Sequence, residues 1–266
     1  MAVFVDFHEI ADVPVAGVDL REVGVCVEVD LVDLGQIHLL GIREEQPVDL
    51  STADDEHIFV DVAKSKRNGS DFTCIQAWGR NRDGAYYLLD AVHARLNLAE
   101  KIAALFEMVT KFGGARKVQT VWWEQVGPMS DVEALRIEMD RRIYHFHVVE
   151  LRHNTNKDFR IKRLVVPFAN SEIWLPLKLV KTRIVDQGGG RAPEAKVYDA
   201  VQELVEDELM MYTGDQSSIP HDDMIDCMAD LTDEEVLATF TPPDGGVGSD
   251  RDRDARNSPS RRLFAR

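Results

Sequence analysis

Hydrophobic positions change their spacing several times along the chain, and each change indicates an element of structure. In residues 23–31, Val and Leu alternate with Gly, Cys, Glu and Asp, which is the period of a β-strand. A β-hairpin is predicted there, with its turn near residues 33–35. From residue 58 onward the pattern becomes more regular, and strands are predicted over 58–63, 72–79 and 85–91. The last two are joined by a turn that contains Asp83-Gly84, a pair typical of tight hairpins.

Helical and strand patterns alternate in the middle of the chain. Apolar residues recur at helical spacing from Leu98 to Val109, and the glycines at 113 and 114 end that helix. Residues 118–124 show no strict alternation, as expected of a strand that is buried on both faces. A further helix is predicted from Ser130 to Arg142, and a strand over 146–150. Three antiparallel strands followed by alternating helices and strands predict an α/β fold, with a mixed sheet and helices on both of its faces.

The last third of the chain gives a looser pattern. Residues 173–177 and 179–185 predict an extra hairpin, residues 195–211 a helix, and residues 221–231 a last helix. From Thr241 the sequence is rich in Pro, Gly, Asp, Arg and Ser, a composition typical of disorder. The expected organisation is an acidic N-terminal extension over 1–56, one domain over 57–240 and a disordered tail over 241–266.

Most of the net negative charge lies in the N-terminal segment, so the acidic total does not exclude binding to nucleic acid by the rest of the chain. The net charge of the 266 residues is −16, but residues 1–56 alone carry 14 acidic and 2 basic residues. The remainder is nearly neutral and contains a local basic cluster, which can bind phosphates despite the acidic total. The predicted contacts to the DNA backbone are Lys157, Arg160, Lys162, Arg163, Lys178 and Lys181. A solvated basic face is the alternative interpretation.

Other sequence features narrow the classes of function. Three cysteines, at 26, 74 and 227, are too few and too far apart for a disulfide framework, and they favour a reducing cytoplasm. No apolar run reaches 18 residues, and the N-terminus has no signal-peptide pattern, so neither a membrane span nor secretion is expected. The chain has no phosphate-binding loop of the G-x-x-x-x-G-K-[ST] type.

Acidic residues at the ends of hydrophobic elements are the main candidates for chemistry. Asp61 closes one predicted strand, Glu124 closes another, and Asp222 and Asp223 open the last helix. Each has an ordinary alternative role: turn capping for Asp61, an ion pair for Glu124, and helix-dipole stabilisation for the Asp pair. Asp226 and Asp230, further along this helix, are predicted to be solvated. Carboxylates that converge without Cys or His suit Mg²⁺ or Mn²⁺, and phosphodiester cleavage often uses two such ions.

Short motifs in a fixed order resemble the nuclease domain of the large terminase subunits of tailed bacteriophages, a branch of the ribonuclease H-like superfamily. The resemblance covers about residues 57–232. In chain order the motifs are Phe59-Val60-Asp61, Gly69-Ser70-Asp71-Phe72, Trp122-Trp123-Glu124, Lys157-Asp158-Phe159-Arg160-Ile161, Glu208-Leu209 and His221-Asp222-Asp223-Met224-Ile225-Asp226. The resemblance implies a ribonuclease H-like mixed sheet. It also implies metal-ligand roles for Asp61, Glu124 and Asp223, with Asp222 as the alternative to Asp223 and Asp71 as an accessory carboxylate.

The resemblance further implies a Mg²⁺- or Mn²⁺-dependent endonuclease that cuts double-stranded viral DNA during genome packaging in the cytoplasm of a bacterial host. Its expected partners are the terminase ATPase, the small terminase subunit and the portal. Because the sequence lacks an ATPase motif, we expect a nuclease without the motor. Two alternatives remain open: a non-catalytic ribonuclease H-like module that binds DNA or docks on a packaging motor, and another nuclease of this superfamily, such as a resolvase.

Overall fold

The computed structural model describes residues 24–33, 36–44, 55–62, 72–125, 131–187, 191–214 and 218–241. The strands are β1 Gly24–Asp33, β2 Gln36–Glu44, β3 Asp55–Asp61, β4 Thr73–Arg80, β5 Tyr86–Ala94, β6 Val118–Glu124, β7 Val148–Leu151, β8 Ile173–Pro176, β9 Val180–Val185 and β10 Glu194–Asp199. The helices are α1 Leu98–Lys111, α2 Val132–Arg142, α3 Lys157–Arg163, α4 Val165–Ala169, α5 Ala200–Gln202, α6 Asp223–Ala229 and α7 Glu234–Leu237. Helix α5 continues as a π-helix over Glu203–Leu209.

Eight strands form one mixed sheet in the order β2-β1-β8-β5-β4-β3-β6-β7. Strand β4 is antiparallel to both β3 and β5, whereas β6 lies parallel to β3 and β7 parallel to β6. The five strands β5-β4-β3-β6-β7 therefore have one antiparallel member. This order and direction are those of the ribonuclease H-like fold, and the α/β prediction is confirmed.

The sheet is covered by side chains on both faces, which explains the apolar runs in its central strands. On one face, Ile58 and Val60 of β3 pack with Leu105 of α1 and Leu135 of α2. On the other face, Phe59 packs in a second cluster with residues of α3 to α7. Successive residues of a strand point to opposite faces, so a strand covered on both sides needs apolar residues at nearly every position.

The first two strands belong to the same sheet as the rest of the domain. Strand β1 pairs antiparallel with β2, and residues 34–35, where a turn is predicted, lie outside the described residues. The other edge of β1 pairs with β8, where Val25 lies opposite Leu175. Strand β8 in turn runs parallel to β5. The division at residue 56 that the change in composition suggests therefore does not interrupt the sheet.

Two local predictions were wrong. Residues 173–177 and 179–185 do not pair with each other, because β8 enters the main sheet and β9 pairs with β10 instead. Residues 194–199 are consequently strand rather than helix, and α5 begins only after Asp199, whose side chain accepts a hydrogen bond from Val201 N. In the part of the chain that the structure describes, no helix is long and apolar enough to span a membrane.

Candidate functional site

Asp61 and Glu124 lie side by side because β3 and β6 are parallel neighbours. Val60 pairs with Trp123, so the next residue of each strand is the carboxylate at its C-terminal end. The two side chains are in hydrogen-bond contact, and burial, together with the charge of Glu124, raises the pKa of Asp61 well above its ordinary value. Two carboxylates this close cannot both ionise at low cost unless a proton or a cation lies between them.

Asp223, the first residue of α6, is buried and held on one oxygen. Its Oδ2 accepts a hydrogen bond of 3.2 Å from Phe72 N. The Nε2 atom of His93 lies 3.7 Å from the same oxygen, and Nδ1 of His221 lies 4.0 Å from it. Because all three groups lie on Oδ2, the carboxylate can offer Oδ1 to a cation.

Two basic side chains of α3 bind Asp222, which precedes α6, and Asp226 within it. Lys157 Nζ lies 2.8 Å from Asp222 Oδ1 and 3.1 Å from Asp226 Oδ2. Arg160 donates to Asp226 Oδ1, and both residues of this pair are buried. Burial alone would lower the pKa of Lys157, but Asp226 and Asp222 outweigh it and raise the pKa, so the ammonium stays charged. Asp222 and Asp226 are thus already neutralised within the protein.

Asp226 and Asp230 were predicted to be solvated, and this was wrong. Each is about 5% exposed or less. Asp226 is paired as described above and also raises the pKa of Asp61 through its charge. Asp230 lies 3.1 Å from Nε2 of His153, and burial raises its pKa to about 6 although His153 opposes the shift. The prediction failed because α3, which supplies the basic partners of Asp226, packs against the face of α6 that a helical projection assigns to solvent. It failed also because His153, from the segment before α3, pairs with Asp230.

Most of the basic residues predicted to contact DNA lie beside carboxylates. Lys157 and Arg160 pair with acids of α6, Arg163 lies 3.8 Å from Asp233, and Lys181 pairs with Asp90. Lys162 and Lys178 are exposed. Phosphate contacts by the first four would have to compete with these carboxylates, whereas the last two can contact a ligand directly. The assignment of all six to DNA stays a prediction.

Asp71 lies outside the described residues. Within the described ranges, no group of three or more His, Cys, Asp or Glu side chains is arranged to hold a metal ion. The structure does bring Asp61 and Glu124 together. It also places the charge of Asp226 close to Asp61 and the Oδ2 atom of Asp223 close to His93. The roles assigned to Asp61, Glu124, Asp223 and Asp222 stay predictions.

Two glutamates on the π-helix support this site, and both connect to positions that carry the predicted chemistry. Glu203 contacts Nδ1 of His93 at 2.9 Å. Glu208 accepts hydrogen bonds from the backbone N–H groups of Ile225, at 2.7 Å, and Met224, at 3.4 Å, at the start of α6. The sequence motif included Glu208, but no sequence signal identified Glu203 or His93 as neighbours of Asp223.

Burial raises the pKa of Glu208 from 4.5 to about 8, and this makes stability depend on pH. The folded state holds the proton more tightly than the unfolded state, so the stabilisation is complete below pH 4.5 and is lost as the pH rises through 8. We expect wild-type protein to lose up to about 1.4 kcal/mol of unfolding free energy per pH unit over this range. Glu208→Gln removes this contribution, and urea unfolding at pH 5 and pH 8 measures the difference. Glu206→Gln, on the same π-helix, is the control; equal slopes for the two variants would contradict the assignment.

Taken together, the described residues form a ribonuclease H-like α/β domain with paired carboxylates at the ends of two adjacent parallel strands. No family model matches the sequence, and no curated protein matches it. Among solved structures, the chain is similar to the human cytomegalovirus terminase nuclease domain, Mn-soaked and inhibitor-bound, with 14% identity over 71% of this chain and 87% of that one and a TM-score of 0.45. It is also similar to the large terminase nuclease of the thermophilic phage G20c with bound magnesium, with 12% identity over 77% and 89% of the two chains and a TM-score of 0.38.

Proposed function

We propose that this chain is a Mg²⁺- or Mn²⁺-dependent DNA endonuclease in which Asp61 and Glu124 bind the metal. The observation that carries the proposal is the contact between these two carboxylates at the C-terminal ends of β3 and β6, with the pKa of Asp61 raised by burial and by Glu124. Oxygen donors without sulfur or nitrogen suit a hard divalent cation, and a bound cation would relieve the repulsion between the two acids.

Asp223 is proposed as the third metal ligand, with Asp222 as the weaker candidate. Asp222 is held by Lys157, so metal binding would require it to leave an existing ion pair. Asp223 keeps Oδ1 available, while its Oδ2 is fixed by Phe72 N. When bound, a pair of divalent ions would activate a water molecule and stabilise the leaving oxygen. The protein residues fix the ligand oxygens, and Lys157 and Arg160 neutralise the remaining acids of α6.

We further propose that the substrate is double-stranded viral DNA and that cutting accompanies genome packaging. The order of the sequence motifs from Asp61 to Asp226 supports this finer assignment. In that setting the partners are a terminase ATPase, a small terminase subunit and a portal. Contacts to DNA through backbone phosphates would make cleavage nearly independent of sequence and sensitive to salt.

A plasmid-cleavage assay tests the activity. Purified protein is incubated with supercoiled plasmid and Mg²⁺, Mn²⁺, Ca²⁺ or EDTA, and the products are separated on a gel. We expect nicked and linear DNA with Mg²⁺ or Mn²⁺ and intact plasmid with EDTA. Cleavage that continues in EDTA would rule out the metal-dependent mechanism, whereas a complete lack of cleavage together with DNA binding would favour the second candidate.

The second candidate is a non-catalytic ribonuclease H-like module that binds DNA or docks on a packaging motor. One observation favours it: Lys157 already places a positive charge between Asp222 and Asp226, and it lies close enough to Asp61 for the negative charge of Asp61 to help raise the pKa of Lys157. An ammonium group in that position neutralises acids that a metal ion would otherwise neutralise. Mn²⁺ binding in the absence of DNA separates the two candidates, because only the first requires it.

A further inference from the structure

His93 has one ring nitrogen fixed and the other directed at a predicted metal ligand. The side chain is 4% exposed and lies near the end of β5. Nδ1 lies 2.9 Å from Glu203 Oε2, whereas Nε2 lies 3.7 Å from Asp223 Oδ2. Among the described residues, Nε2 has no hydrogen-bond partner. A buried polar atom without a partner is unfavourable, so a small approach of the two groups would be stabilising.

Hydrogen bonds with neighbouring residues fix the position of His93. Arg183 of β9 donates two hydrogen bonds to Glu203, at 2.8 and 2.7 Å, and a third to the carbonyl oxygen of His93, at 3.2 Å. The hydroxyl of Tyr198 accepts a hydrogen bond of 2.9 Å from His93 N. The imidazole therefore cannot turn away from Asp223 without breaking a buried, charge-assisted network.

We propose that His93 is a positioning residue for Asp223, and that it orients this carboxylate so that Oδ1 faces Asp61 and Glu124. The inference rests on the proposed function, because it gives Asp223 a metal to hold. Glu203 and Arg183 fix the ring, Nε2–H donates to Oδ2, and the N–H of Phe72 donates to the same oxygen. Hydrogen bonds of this kind to the outer oxygen of a ligand fix the direction of the inner one.

Two conservative variants separate this role from a purely structural one. The amide nitrogen of asparagine can take the place of Nδ1, and that of glutamine the place of Nε2. His93→Asn therefore keeps the contact with Glu203 and loses the one with Asp223, while His93→Gln does the opposite. A residue that only supports the fold through Glu203 would tolerate asparagine better than glutamine.

The first readout is Mn²⁺ binding to the DNA-free protein, measured by titration calorimetry, and the second is plasmid cleavage. We expect His93→Asn to weaken Mn²⁺ binding and slow cleavage by about 10- to 100-fold, and His93→Gln to stay close to wild type. Equal behaviour of the two variants, or a better result for asparagine, would overturn the inference. If wild-type protein neither binds Mn²⁺ nor cuts DNA, the proposed function fails and this inference fails with it.

A measurement on the unaltered protein covers the case in which both variants unfold. The ring nitrogens of His93 are followed by NMR as Mg²⁺ is added. We expect the Nε2 resonance to shift as the bond to Asp223 shortens, while the Nδ1 resonance, fixed by Glu203, stays nearly constant. An unchanged Nε2 resonance at saturating Mg²⁺ would overturn the inference.

Discussion

Replacing Asp61 with asparagine is expected to abolish DNA cleavage and, at neutral pH, to make the folded protein more stable. The variant keeps the shape of the side chain but removes the carboxylate charge that contacts Glu124. Loss of a metal ligand should cost more than the roughly 100-fold seen when an outer neighbour of a ligand is removed. Loss of this partly buried like-charge contact should raise the free energy of unfolding by on the order of 1 kcal/mol at pH 7.

The sign of this stability change depends on pH and on metal. Because the pKa of Asp61 is raised in the folded state, the contribution of Asp61 to stability is lost as the pH rises above 3.8, the ordinary pKa of an aspartate, and Asp61→Asn lacks this one contribution. The advantage of the variant should therefore vanish in acid. Adding Mn²⁺ should stabilise wild-type protein and leave the variant unchanged. Thermal unfolding at pH 4 and pH 7, with and without Mn²⁺, measures both effects, and Asp83→Asn in an exposed turn is the control. An Asp61→Asn variant that cuts DNA at the wild-type rate would place the active site elsewhere.

Replacing Arg160 with methionine is expected to destabilise the protein by about 3 kcal/mol. Arg160 is 4% exposed and pairs with Asp226, which is 5% exposed, so the variant leaves a buried carboxylate with Lys157 as its partner. Removing one member of a buried ion pair is far more costly than removing both, because the remaining charge lacks solvation. The double variant Arg160→Met and Asp226→Leu should therefore recover most of the lost stability.

Lys162→Met, on the same helix but exposed, is the matched control for this prediction. Urea unfolding should show little change for Lys162→Met and a large loss for Arg160→Met. DNA binding, measured over a range of salt concentrations, should be weakened by Lys162→Met and little changed by Arg160→Met. Of the two side chains, only Lys162 can reach a phosphate without breaking an ion pair. If Arg160→Met weakens DNA binding and leaves stability unchanged, the side chain contacts the substrate as the sequence predicted.

The strands that end at Asp61 and Glu124 could be predicted from local pattern, whereas the convergence of the two residues was implied by the order of elements and by the family resemblance. Apolar runs identified β3 and β6, and a carboxylate at the end of each run had to lie at the same edge if the strands were parallel neighbours. The position of Asp223 at the start of a helix also followed from the sequence. These predictions depend only on the order of elements and on the direction of the strands.

The partners of the acids on α6 could not be predicted, because they come from distant parts of the chain. Arg160 and Lys157 reach Asp226 and Asp222 only when α3 packs against α6, and His93 reaches Asp223 from β5. A helical projection shows which side chains share a face, but not which element covers that face. For the same reason, residues 195–199 satisfied a helical pattern and still formed part of a strand, since pairing with β9 outweighed local spacing.

The position of β8 between β1 and β5 imposes an order on folding during synthesis. The ribosome makes β1 and β2 before β8, and they can pair with each other at once, but Val25 cannot meet Leu175 until β8 has been made. Contacts that close such a long loop form late and slowly. Strands β1 and β2 should thus be the last part of the sheet to join it, and until then the edge of β1 that later meets β8 stays unpaired.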